Sequence, residues 1–189
     1  MKRWAPLLLA VIFTMTLAIR LFYAFQTDAL SGDTAYFHLR QVEHIRATGL
    51  PLFNDPLSAS GKQSFSPVFD YILAAGTMVM SPLAAVKVIP NIFASLLTVV
   101  MYVMVSRFTR RESAGVFVAF LAGFIPIFVS STVNSVSPYA LVIPMAAWLL
   151  YSYTRLPDES AAMQFVIGFI ILSFVHPSVL IVVLGLVVS

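Results

Sequence analysis

Five of the chain's eight carboxylates (Asp28, Asp33, Glu43, Asp55 and Asp70) and two of its three histidines (His38 and His44) lie between residues 28 and 70. An acid in such a stretch can serve as a general base, and cations beside it can hold an anionic group. Asp33 fits the base, and Arg40, Arg46 and Lys62 are cations able to grip phosphate, the arginines in bidentate fashion. Asp33 fits a second role equally well, as the N-cap of the helix that follows it. His38 and His44 stand six residues apart, so they do not share one helical face as a two-histidine metal site would require. Asp70 suits the first turns of a short helix, where the dipole favours an acid, and a catalytic role stays open beside that one. His176-Pro177 interrupts the last apolar run. An ionisable group there marks either a functional site or a kink with a satisfied imidazole. The series from Ser130 to Ser137 could hydrogen-bond a sugar or form an uncharged turn. The chain has no cysteine, which excludes disulfides, thiolate metal sites and thiol nucleophiles. It also shows no Gly-rich phosphate loop and no dinucleotide fingerprint.

The elements that must position these groups are set by hydropathy. Of 189 residues, 60% are hydrophobic and only 10% charged, and mean hydropathy is +0.94. Apolar runs of this length can satisfy their backbone in lipid only as helices. The sequence therefore predicts an all-α, polytopic transmembrane helical bundle of about five spans. The first runs from Trp4 to Phe25, with Arg20 snorkelling to the interface near its far end. The others cover 84–106, 113–130, 138–154 and 163–187. No small-residue cleavage site follows the h-region-like stretch Ala5–Ile19, which favours a retained span over a signal peptide. The run 67–81 is too short to cross and carries Asp70. It is predicted as an interfacial or re-entrant helix, capped by Ser66 with Pro67 as its first residue, and Ser81-Pro82 turns the chain into the next span. Positive-inside bias then puts the N-terminus and the Arg107, Arg110 and Arg111 cluster in the cytoplasm, and residues 26–66 outside. The net charge of +3 reflects this topology and implies no nucleic-acid partner.

Within the long external loop, residues 34–48 place Ala35, Leu39, Val42 and Ile45 at helical spacing. Gly49 and Pro51 supply the stop, which predicts an amphipathic surface helix. The string Gly32-Asp33-Thr34-Ala35-Tyr36-Phe37-His38-Leu39-Arg40, with Val42-Glu43-His44-Ile45 after it, resembles the first external loop of archaeal-type oligosaccharyltransferase catalytic subunits. These are membrane glycosyltransferases of the GT-C class. Ser66-Pro67-Val68-Phe69-Asp70-Tyr71 is similar to that family's aromatic-Pro segment, and the resemblance covers roughly residues 1–110.

The resemblance implies transfer of sugar from a polyprenyl-phosphate-linked donor to a protein or glycolipid acceptor on the non-cytoplasmic side of the cell membrane. Asp33 would be catalytic, Tyr36, His38 and Arg40 substrate-binding, and Asp70 and His176 further candidates. The family's acid pairs with a divalent cation, Mn or Mg. Here Asp33 is displaced by one position from the family's acid, and the stretch matching the family's second acidic loop carries Ser135 and Ser137 in place of carboxylates. A hard cation wants several oxygen ligands with anionic charge among them, so a metal-independent relative fits better. The chain reads as one membrane domain, 1–189, the N-terminal part of a longer protein: first span 1–25, external loop 26–83 with interfacial helices, and four further spans over 84–189. A secondary transporter or permease fragment and a noncatalytic membrane subunit are the alternatives, although no internal repeat is visible.

Overall fold

Among the residues that the computed structural model describes, 4–55, 57, 67–177 and 185, the elements are eight α-helices and no strand. Helix α1 (Trp4–Ala24) buries Ala5, Ile12, Thr16, Arg20 and Ala24, residues seven or four apart that form a single stripe. Its remaining surface, including Leu7, Leu8, Val11 and Phe22, is exposed and apolar. Helix α4 (Pro82–Thr109) is the central element and touches α1, α2 (Asp33–Thr48), α3 (Val68–Gly76), α5 (Glu112–Gly123), α6 (Pro126–Thr132) and α7 (Tyr139–Tyr153). The sequence predicts a turn at Ser81-Pro82 into a span from about 84, and the structure makes this pair the start of the helix itself. The Ser81 hydroxyl accepts from the Ala84 N–H at 3.3 Å, and Pro82 occupies the first turn, where its missing N–H costs nothing.

Close approach of α5 to α1 and α4 depends on Gly123. A Cβ there would lie 2.5 Å from Thr16 Oγ1 and 3.0 Å from Thr98 Cγ2. Small residues at such contacts let helix backbones come together, the usual way apolar helices associate in lipid.

Two helices, α1 and α4, are long and apolar enough to cross a membrane, and a third span results if α5 and α6 count as one. The predicted span 113–130 is not continuous: α5 and α6 meet at an angle of 48°. The reason lies in the sequence. Pro126 cannot donate to the helix ladder, and it pushes Ile125 out of helical geometry, to φ −61° and ψ 112°. Over 138–154 and 163–187 the structure gives α7 with 15 residues and α8 (Glu159–Val175) with 17. At about 1.5 Å per residue, α7 is roughly 22 Å long and α8 roughly 25 Å, against about 30 Å of hydrocarbon. Residues 178–184, 186 and 187 of the fifth predicted span lie outside the described residues.

Between α1 and α4 the chain builds a cap on one end of the bundle. Helix α2 ends where predicted, with Gly49 left-handed at φ 77° and its N–H bonded to the Ile45 carbonyl. Ala35, Val42 and Ile45 of α2 pack with Phe69, Leu73 and Ala74 of α3, Val86 of α4, and Val136. Helix α3 covers only Val68–Gly76 of the predicted 67–81 segment, with Pro67 at its N-cap; Ser66 lies outside the described residues.

Candidate functional site

Gly32 (φ 82°) caps α2, and Asp33 is its first helical residue, exposed to solvent. The expected N-cap role therefore belongs to Gly32, while the Asp33 charge still sits at the favourable end of the helix dipole. Just before it, the Ser31 N–H donates to the Asn134 carbonyl at 3.0 Å. That bond ties the start of α2 to the segment between α6 and α7, so two polar stretches far apart in sequence meet on one end of the bundle. The junction is held under strain. Val136 adopts φ 45°, a left-handed conformation costly for a β-branched residue, with its side chain buried in the cap core.

Two of the sequence candidates prove to be partners. His38 is buried on α2, and its Nδ1 lies 2.6 Å from Oδ1 of Asp70, which is buried in the first turn of α3. Phe37 and Phe69 close on the imidazole edge-on, with centroids at 5.5 and 5.4 Å. The pair joins α2 to α3 at a buried contact. Arg40, expected to bind phosphate, is instead engaged by Asp55, whose buried Oδ2 accepts from Nε at 3.0 Å and from Nη2. Beside it the Gln41 amide donates to the Leu52 carbonyl at 2.6 Å and accepts from the Leu52 N–H at 2.9 Å. These bonds fold the chain after α2 back along it. Tyr36 is exposed, and its hydroxyl accepts from the Leu30 N–H at 3.2 Å.

The strongest polar constellation lies below this cap, in the bundle itself. Arg20 does not reach out to an interface: it is 1% exposed, donates from Nε to Asn91 Oδ1 at 3.0 Å and from Nη2 to Thr132 Oγ1, and lies over the Phe128 ring. Asn91 uses its amide nitrogen on the Lys87 and Val133 carbonyls, at 2.7 and 3.0 Å. One turn of α4 away, Lys87, also 1% exposed, donates from Nζ to the Thr27 carbonyl and lies 5.5 Å from the Phe25 ring centroid. Among the described residues neither cation has a carboxylate partner. Lys87 goes unremarked in the hydropathy pattern because the run around it stays apolar. The signal that could have marked both residues is the rule that ionisable groups inside apolar spans are seldom idle.

The other candidates are dispersed. His176 follows α8, and its ring lies 5.0 Å from that of Tyr139 at the start of α7. Arg46 is exposed, as are Arg107, Arg110 and Arg111. Lys62 lies outside the described residues. The Ser135 hydroxyl donates to the Ser131 carbonyl within its own turn. Among the described residues no three His, Asp or Glu side chains gather as a metal site, and a hard divalent cation needs such an anionic oxygen set. The described residues do not supply the anionic oxygen set for the cation that the resemblance implies. Compared with known protein families and with curated proteins, the chain matches none.

Proposed function

We propose that this chain belongs to a membrane-embedded, GT-C-like glycosyltransferase that moves sugar from a polyprenyl-phosphate donor to a protein or glycolipid acceptor at the non-cytoplasmic face. The observation that carries the reading is Lys87, a buried cation with no carboxylate partner among the described residues. It is bonded to Thr27, at the root of the segment that leads to Asp33. With Arg40 neutralised by Asp55, Lys87 is a buried cation bonded directly to this segment, and movement of Thr27 off its ammonium would free it to stabilise a departing phosphate, with Asp33 as base towards the acceptor hydroxyl or amide. Proton loss from the acceptor accompanies its attack on the anomeric carbon, and the lipid phosphate leaves with the bonding electrons. The five-span arrangement, with the N-terminus cytoplasmic and residues 26–66 outside, belongs to this proposal.

The test uses membranes containing the full chain and a radiolabelled polyprenyl-phosphate sugar. Wild-type protein should transfer label, and Asp33→Asn should lose roughly two to four orders of magnitude in rate while keeping its helix content. Undiminished transfer by a folded Asp33→Asn variant, or no transfer by the wild type, overturns the reading.

A secondary transporter is the second reading, favoured by the break between α5 and α6 with buried Arg20 bonded to Thr132 beyond it. Interrupted helices lining polar groups are how many transporters bind their cargo. Solute flux in proteoliposomes that depends on Arg20, with no sugar transfer, would favour it.

A further inference from the structure

At the opposite end of the bundle from the cap, α1 and α5 part to leave an open groove of about 780 Å³, within the roughly 300–1,000 Å³ range of sites that enclose a small ligand. Its walls are apolar, with Leu8 and Ile12 on one side and Phe117 and Phe120 on the other. One wall is a helix long and apolar enough to cross a membrane, and the other belongs to the bent α5–α6 span. Where such helices cross a bilayer, a groove between them opens on acyl chains. Its mouth is different in kind. Arg110 and Arg111, the turn that links α4 to α5, stand there with Glu112 and Ser113. Arg110 holds this place in a left-handed conformation at φ 55°, uncommon for a residue other than glycine. Among the described residues neither guanidinium has a carboxylate partner.

An apolar trough ending in two uncompensated guanidinium groups is complementary to an amphiphile with an anionic head. Among the described lining residues, two arginines against Glu112 leave one net positive charge, which suits a monoanionic phosphodiester. Arginine holds phosphate oxygens in bidentate pairs, the Ser113 hydroxyl can donate to a third oxygen, and Trp4 at the rim, 67% exposed, is a residue type enriched at headgroup level. We propose that this groove binds one anionic glycerophospholipid, its acyl chain between α1 and α5 and its phosphodiester on Arg110 and Arg111. The site is separate from Asp33 and Lys87, and it stands whether or not the chain transfers sugar.

The experiment is native mass spectrometry of the full chain released from nanodiscs of palmitoyl-oleoyl phosphatidylglycerol, phosphatidylcholine or an equal mixture. Wild-type protein should retain one phosphatidylglycerol in preference to phosphatidylcholine. The R110Q/R111Q variant, altered only at exposed positions, should bind phosphatidylglycerol roughly 30-fold more weakly, as expected for two basic residues at a membrane surface. Leu8→Trp, which fills the groove and leaves the charges, should lose the lipid while circular dichroism stays unchanged. Equal retention of both lipids by the wild type, or unchanged phosphatidylglycerol binding by R110Q/R111Q, overturns the proposal. So does displacement of the lipid by glycerol phosphate at equal concentration, which would mark a free-anion site, or a lipid-free dimer that Leu8→Trp disrupts.

Discussion

His38 on α2 and Asp70 on α3, separated by 32 residues, share a buried hydrogen bond of 2.6 Å between Nδ1 and Oδ1. A side-chain hydrogen bond involving a charged group contributes about 1.5–3 kcal/mol, and orphaning one partner in a dry setting costs more than replacing both. His38→Phe and Asp70→Leu should each destabilise the protein in detergent by about 2–3 kcal/mol. The double variant should lose less than the sum of the two. A chemical-denaturation cycle with additive losses would show that the two groups do not act as a unit.

Arg20 satisfies two acceptors at once, Asn91 on α4 and Thr132 on α6. Arg20→Lys keeps the charge but offers a single ammonium that cannot span both, and each orphaned buried acceptor costs about 1–3 kcal/mol. The expected result is a clear fall in thermal midpoint for Arg20→Lys, similar to that for Arg20→Gln. Were Arg20 merely snorkelling, the lysine variant would melt with the wild type.

What could be read in advance was local. The α1 run, the Ser81-Pro82 turn into α4 and the Gly49 stop of α2 follow from hydropathy and from residues whose backbone preferences act at short range. The break at Pro126 was equally local, but the unbroken hydropathy around it hid a signal the proline itself supplied. The partnerships were not legible. Arg40 finds Asp55, His38 finds Asp70, and Arg20 finds groups 71 and 112 residues away. Nothing in one-dimensional spacing says which helices will touch. Family-like residues thus drew attention to Arg40, which is neutralised, and away from Lys87, which is not.

Gly123 lies against Thr16 of α1 and Thr98 of α4, and an added Cβ would stand 2.5 Å from Thr16 Oγ1. Gly123→Val must push α5 away from both neighbours. Overpacking of this kind costs about 1–3 kcal/mol, so a lower denaturation midpoint is expected, accompanied by faster hydrogen exchange in α5. Thr16→Ala removes the nearest atom and should recover part of the loss. If Gly123→Val melted with the wild type, the contact would be looser than described.

Asp158 caps α8 by accepting from the Ser160 N–H at 3.1 Å. Hydrogen bonds from the Ser160 hydroxyl and N–H, aided by Arg155, hold its carboxyl below the usual aspartate range. A lowered folded-state pKa means the cap is fully effective above the unfolded value of about 3.9 and is lost as pH falls through the lower folded value. Amide exchange at the start of α8 should therefore be flat from neutral pH to about 5, after correction for intrinsic rates, and rise only under stronger acid. Asp158→Asn, which still caps, should remove that acid-dependent step.

Lys87 poses the sharpest question, because a buried ammonium with a single backbone acceptor and no acid partner among the described residues is costly to keep. Replacing it with methionine preserves most of the stem and removes the charge. If Lys87 only braced Thr27, Lys87→Met would lose that one bond and any activity would follow the stability. If it stabilises a departing phosphate, the fold should be as stable or more so, since a desolvated charge has gone, while turnover of a polyprenyl-phosphate sugar falls by about 10²–10³. Lys87→Arg should restore part of the rate, because the charge returns with altered reach. Thermal midpoints measured beside transfer rates separate the two roles. A variant that is more stable and yet transfers sugar as fast as the wild type would remove Lys87 from the reaction, and with it the observation on which the glycosyltransferase reading rests.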